Sequence, residues 1–434
     1  MRRLVLSGQI SLEQVRRELP RAALSIESAT QSVAALISEV KSGGLLALKR
    51  HSQKFDGIVP ESFAVPAAAL DRALAEQSKE LTAALEIAIE RVRSVSKRAM
   101  PKAFSVQLSE DAIVEQRFQP VDSVGLYVPG GKAVYPSSVV MNVVAAQEAG
   151  VPRLAICSPA QAAFGGLPHP SIMATAKLLG VTEVYAIGGA SAVAALAYGV
   201  DEIGLKPVQM VTGPGNIFVA TAKRLLRGVI GIDSEAGPTE ILIIADESAN
   251  PAFLAADLIS QAEHDENAAA VLVSTSDQLL DGVARELAIQ LQEAANRERA
   301  TTALTGLQSA LVKVDSLEAA IEVANHYATE HLEIQTRDND AVAAKITNAG
   351  AIFMGDYSPV SLGDYLAGSN HVLPTGEQAK FGSGLGVHSF LRPQQVIRYG
   401  RVGLEELVGP LDLLARTEGL PAHGAAARIR FTES

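Results

Sequence analysis

Apolar residues recur at three- and four-residue spacing over residues 25–56 and again over 66–100, which predicts two amphipathic helical tracts. Ahead of them, the stretch to Pro20 predicts a short polar helix standing apart, opened by Ser11-Leu12-Glu13. From Val124 the pattern changes to short aliphatic runs. Residues 124–128, 153–157, 184–187 and 208–211 predict buried strands, alternating with helices at 137–149, 171–179 and 192–198 and a further helix ending at Leu226. A second alternation starts at Thr239, with strands at 241–245, 270–274, 310–314 and 332–335. Asn250-Pro251 opens a helix in it, Asn as cap and Pro in the first turn, and another spans 317–327. Strands alternating with helices give right-handed crossovers and parallel sheets. The segment from about Val387, rich in Arg and Leu, predicts a small tail domain, and no low-complexity linker separates the parts.

Length and composition sharpen this picture. With 434 residues the chain exceeds one ordinary hydrophobic core, so two large domains and smaller pieces are expected. Trp is absent and aromatics reach only 4%, so the core relies on aliphatic side chains, as buried parallel strands do. The net charge of −11, without a basic stripe, argues against a nucleic-acid partner. Met1-Arg2-Arg3 is followed by only Leu4-Val5-Leu6, too short for a signal peptide or a membrane span, so a cytoplasmic protein is expected. The single cysteine, Cys157, excludes an intrachain disulfide framework and a Cys-rich zinc site. At the end of an aliphatic strand it reads as a small buried hydrophobe rather than a nucleophile.

The candidate chemistry sits at element ends. Pro129-Gly130-Gly131, Gly188-Gly189 and Gly213-Pro214-Gly215-Asn216 follow successive predicted strands. Such loops suit a phosphate-bearing ligand at the carboxyl ends of a parallel sheet, although turns use glycine for other reasons, and no Gly-x-Gly-x-x-Gly fingerprint is present there. Gln261 and His264 lie three apart on a predicted helix and can converge on a metal ion; taken alone, the pair reads first as a solvated acidic face. Glu330-His331 places an acid beside an imidazole at a helix–strand junction, as a base pair or a surface loop would. The stretch 363–371 mixes Gly, Asp, Ser, Asn and His, as a ligand loop or a plain connector does, and Glu418 and His423 fall in a Gly/Pro-rich turn.

Taken together, Val124-Gly-Leu-Tyr-Val-Pro-Gly-Gly-Lys-Ala-Val-Tyr-Pro-Ser-Ser138, Gly213-Pro-Gly-Asn216, Ser260-Gln-Ala-Glu-His264, Glu330-His-Leu-Glu333, Gly363-Asp-Tyr365, Asn370-His-Val-Leu-Pro374 and Glu418-Gly-Leu420 with His423 closely resemble the histidinol dehydrogenase family, in order and over nearly the whole chain. The resemblance implies an α/β fold of two Rossmann-like domains with parallel sheets, one inserted in the other, plus small N- and C-terminal helical segments. The expected divisions are 1–23, a zinc-bearing catalytic domain over 24–123 and 239–386, an NAD domain over 124–238, and a tail over 387–434. It implies one zinc per subunit on Gln261, His264, Asp364 and His423. Glu330 and His331 are the implied acid–base pair, and Tyr127, Ser191 and Asn216 the implied NAD contacts. Thr239, Gln261, His264, His331, Asp364, His371, Glu418 and His423 are the implied contacts of L-histidinol, which is oxidised in two steps to L-histidine with two NAD. A homodimer with Glu418 and His423 given in trans is also implied. Ser191 departs from the family's usual Gln, Thr239 from its usual Ser and Thr329 from a common Pro, which leaves one cofactor hydrogen bond and the pocket's width in question. The alternative is a related zinc and NAD dehydrogenase acting on another small amino alcohol or diol.

Overall fold

The computed structural model describes residues 1–21, 26–130, 134–235 and 237–432. Ser25, Gly131 and the expected boundary at residues 23 and 24 lie outside these. In chain order the strands are β1 (Arg2–Leu6), β2 (Phe104–Ser109), β3 (Ala112–Pro120), β4 (Ser123–Tyr127), β5 (Arg153–Ser158), β6 (Glu183–Ala186), β7 (Met210–Thr212), β8 (Gly231–Ile232), β9 (Glu240–Ala245), β10 (Ala269–Ser274), β11 (Ala310–Val314), β12 (His331–Gln335), β13 (Ala351–Met354) and β14 (Leu391–Tyr399).

Two parallel sheets carry the molecule, as the alternation predicts. One runs β6-β5-β4-β7-β8 and the other β1-β11-β10-β9-β12-β13. Their central strands are buried along their whole length, β4 as Ser-Val-Gly-Leu-Tyr and β9 as Glu-Ile-Leu-Ile-Ile-Ala. That is why they read as aliphatic runs rather than alternations. In the first sheet the chain builds outward from β4 to β6, then returns to the other side of β4 with β7. The crevice between the carboxyl ends of β4 and β7 is thus a topological switch point, flanked by the loops after Tyr127 and Thr212.

Three features differ from the sequence reading. The start of the chain does not stand apart: β1 pairs in parallel with β11, and the helix Leu12–Glu18 follows it, capped by Ser11. An edge strand needs only one buried face, and Val5 at 66% exposure hides the pattern. The tract over 66–100 is two helices, Ala67–Glu76 and Lys79–Ala99, because the Ser78 hydroxyl caps the second by accepting from Leu81 N–H at 3.1 Å. Finally, β14 pairs antiparallel with β3, which pairs with β2, so the start of the tail forms a ribbon with residues near 100–120. Its exposed, mixed-polarity strands lack the apolar run that marks the others.

Candidate active site

Strands β9 and β12 are neighbours, and their first residues set the site. Helix Leu317–Tyr327 ends at Ala328, which takes a left-handed φ of 50°, and the chain then turns through Thr329 and Glu330 into β12. That turn puts Glu330 and His331 at the amino edge of the second sheet, both nearly buried at 7% and 4% exposure. The Glu330 carboxylate accepts from the Thr239 hydroxyl at 2.6 Å and from the Glu240 backbone N–H at 3.0 Å, both at Oε2. Burial pushes Glu330 well above the usual carboxylate range, against the pull of those two hydrogen bonds.

His331 Nδ1 lies 3.1 Å from the Glu240 carbonyl oxygen. A carbonyl only accepts, so Nδ1 carries the proton and Nε2 keeps its lone pair. Burial lowers the His331 pKa and so favours the neutral ring. Nε2 stands 4.0 Å from Asp364 Oδ1, beyond hydrogen-bond reach. His331 is therefore a neutral imidazole with a basic nitrogen turned to the Asp364 carboxylate.

Helix Pro251–Ala262, capped by the Asn250 side chain as expected, delivers Gln261 from its last turn. His264 lies just beyond the helix, where a turn from its N–H to the Gln261 carbonyl at 3.3 Å keeps the two residues together. The buried Gln261 amide nitrogen donates to the Thr239 hydroxyl, which leaves its amide oxygen, the amide atom that ligates cations. Asp364 sits near the end of the short helix Val360–Tyr365. A side chain on Gly363 would lie 2.6 Å from the Phe353 ring, so glycine there lets this helix close on β13. Asp364 Oδ2 is 4.0 Å from His264 Nε2, whose side chain is 35% exposed, and burial lowers the His264 pKa.

These donors suit zinc. In a tetrahedral shell two atoms each ~2.0–2.2 Å from one ion lie about 3.4 Å apart, so the His264–Asp364 gap of 4.0 Å, with no hydrogen bond across it, would have to close by roughly half an ångström on an ion. Among the described residues no group of three or more His, Cys, Asp or Glu that could hold a metal ion is assembled. His423 and Glu418 lie in the tail, exposed, at helix Pro421–Arg428 and the end of helix Val408–Thr417. Neither side chain hydrogen-bonds or ion-pairs with the Gln261–His264–Asp364 group among the described residues.

His371 joins the two sheets' territories. Its Nδ1 donates to the Asp364 carbonyl at 2.9 Å, and its Nε2 accepts from the Ser138 hydroxyl at 3.0 Å. Ser138 belongs to helix Pro136–Glu148, which follows the loop after β4. The sequence reading gave Ser138 no role, and only the fold brings it across.

At the switch crevice, Tyr127 is buried, its hydroxyl accepts from Gly189 N–H at 3.2 Å, and burial pushes its pKa up to about 12. Gly213 takes φ +112°, and a side chain there would meet the Tyr127 carbonyl at 2.1 Å. Asn216 caps helix Ile217–Leu226 by accepting from Phe218 and Val219 N–H, so its amide NH2 stays available. The Ser191 hydroxyl is committed to His51 Nδ1 at 2.9 Å, and His51 Nε2 reaches Glu39 at 3.1 Å. The Thr239 hydroxyl is committed too, bridging Gln261 and Glu330.

Comparison with known proteins completes the picture. The family model described as histidinol dehydrogenase matches residues 19–431. A histidinol dehydrogenase of Thermobifida fusca is 57% identical over 416 residues, 96% of this chain and 94% of that one. That of Mycobacterium tuberculosis is 52% identical over 427 residues, 98% of this chain and 96% of that one. The crystal structure of histidinol dehydrogenase from Elizabethkingia anophelis superposes with a TM-score of 0.93 at 30% identity, covering 99% of this chain and 98% of that one.

Proposed function

The chain belongs to the histidinol dehydrogenase family, and from that premise we propose that it oxidises L-histidinol through the aldehyde to L-histidine, passing two hydrides to two NAD molecules. The observation that carries the reading is the neutral His331, its Nε2 basic and facing Asp364, beside a Glu330 carboxyl of raised pKa. Membership supports the NAD-dependent oxidation and the place in histidine biosynthesis. The zinc, the residue roles, the homodimer and a cytoplasmic setting are this proposal's own. No helix among the described residues is long and apolar enough to cross a membrane.

Gln261, His264 and Asp364, with His423 of a second subunit, would hold zinc, which supplies a fixed positive charge that orients the substrate and polarises its oxygen. In the first oxidation His331 Nε2 takes the hydroxyl proton as the carbinol hydride leaves for NAD. Water then adds to the aldehyde. Glu330 exchanges the protons of that step, and burial, which raises its pKa, favours a carboxyl that can hold a proton as well as release one. The hydrate loses a second hydride to a second NAD, and the carboxylate of L-histidine results. Glu418 of the tail would face the imidazole of the substrate, and His371, braced by Ser138, its other flank. Tyr127, Ser191 and Asn216 border the crevice proposed for NAD. There the Ser191 hydroxyl serves His51, so any contact to NAD has to share it.

The test is NADH formation from L-histidinol against a panel of other amino alcohols and diols. We expect two NADH per histidinol and poor turnover of the others; preference for another alcohol would overturn the substrate assignment. His264→Asn is expected to lose both zinc and most activity. Full zinc occupancy in that folded variant would remove His264 from the ligand set.

A further inference from the structure

The geometry points to Arg21 as a positioning residue for the acid–base pair, acting through Glu240, and this rests on the roles just proposed for Glu330 and His331. One residue's main chain holds both groups: Glu240 N–H donates to Glu330 at 3.0 Å, and Glu240 C=O accepts from His331 at 3.1 Å. The N–H and the C=O lie in the adjacent peptide units on either side of the Glu240 Cα, so a shift of this residue's backbone disturbs the carboxylate and the imidazole together and weakens the bond that fixes the tautomer.

Glu240 is the first residue of β9, where a strand's end is free to fray. Its side chain is 5% exposed and tied on two sides. Arg21 reaches it with both arms, Nε to Oε1 at 2.5 Å and one terminal nitrogen to Oε2 at 3.1 Å, and Gly376 N–H donates to Oε1 at 3.2 Å. The same guanidinium donates to the Tyr327 carbonyl at 2.5 Å, lies 4.1 Å from the Tyr327 ring centre and stands 3.4 Å from Glu377. Tyr327 directly precedes Ala328, whose left-handed φ is unfavourable for a residue with a side chain and persists only where surroundings hold it. Arg21 therefore fastens the start of β9, the strained turn into Glu330 and the segment at Glu377. A planar, always charged fork makes these contacts at once; a lysine ammonium does not.

Zinc-loaded Arg21→Ala and Arg21→Lys proteins provide the test, with kcat, KM, zinc content and thermal melting measured on each. Misplacement of reacting groups by about 1 Å costs on the order of 10²-fold, so we expect kcat to fall about 10- to 100-fold in both variants. KM values for L-histidinol and NAD are expected to stay near those of the parent, with zinc still bound. Millimolar guanidinium or methylguanidinium is expected to raise kcat of Arg21→Ala, and to leave the parent and His331→Asn unchanged. A purely structural role predicts loss of zinc, a rise in KM and no rescue, and that result overturns the inference. So does parental kcat in Arg21→Lys, which keeps the charge if the alanine variant fails to fold. A parent that does not oxidise L-histidinol would instead sink the functional reading itself.

Discussion

Replacing His331 by Asn is expected to slow oxidation of the alcohol by about 10²–10⁴-fold, the usual contribution of a positioned base. The expectation follows from the fixed tautomer. With Nδ1–H given to the Glu240 carbonyl, Nε2 is the side chain's proton acceptor. Asn at 331 keeps a donor for that carbonyl but replaces the basic nitrogen by an amide oxygen, which accepts hydrogen bonds yet is too weak a base to take the proton, so chemistry is lost with little change in packing. Glu330→Gln is the complementary case. The amide still accepts from Thr239 and Glu240, but it cannot exchange the protons that hydration of the aldehyde requires. Its loss of the same order should fall on the aldehyde step, with the alcohol step comparatively spared. Stopped-flow NADH formation from L-histidinol and from L-histidinal separates the two. Equal loss of both half-reactions in both variants would mean that the residues do not divide the work.

How much of this was legible beforehand depends on the distance over which each contact acts. Strand β11 falls at the expected residues, and β9, β10 and β12 begin one residue early, because a buried aliphatic run is a local signal. The Asn250 cap is equally local. The motif residues around 261, 330 and 364 stood out through resemblance, while spacing alone favoured a solvated helix face for 261 and 264 and a surface loop for 330 and 331. Only the fold shows Gln261, Thr239 and Glu330 in one hydrogen-bonded row, or Asp364 set between two imidazoles. Arg21 and Glu240 are 219 positions apart, and Ser138 and His371 are 233 apart. Nothing in either neighbourhood announces the pairing. The same holds for His51, which engages Ser191 from a different helix. The edge strand β1 and the exposed β2–β3–β14 ribbon escaped for a second reason as well. β1 pairs with the distant β11 and β14 with the distant β3, and their half-exposed faces carry no continuous apolar pattern.

The tail carries the largest remaining expectation. Helices Val408–Thr417 and Pro421–Arg428 pack on each other around Asp412, which ion-pairs with Arg416 and Arg428. Two short helices are too small to hold a core of their own, and Leu407, Leu413, Leu414 and Leu420 are exposed on them. An apolar surface of that kind beside His423 and Glu418 suits burial against a second copy, where His423 would complete the Gln261–His264–Asp364 set. If so, His264→Asn and His423→Asn subunits, each inactive alone, will complement when mixed under conditions that exchange subunits. In the hybrid dimer one site carries both defects and the other neither. Half of randomly reassorted dimers are hybrids and half of their sites are intact, so activity should recover to roughly a quarter of wild type for independent sites in a two-fold dimer. The measurement is NADH formation before and after exchange, with hybrid formation proven separately by differently tagged subunits. Proven exchange without recovery would mean that each subunit builds its own site, with its own tail folded back over Asp364.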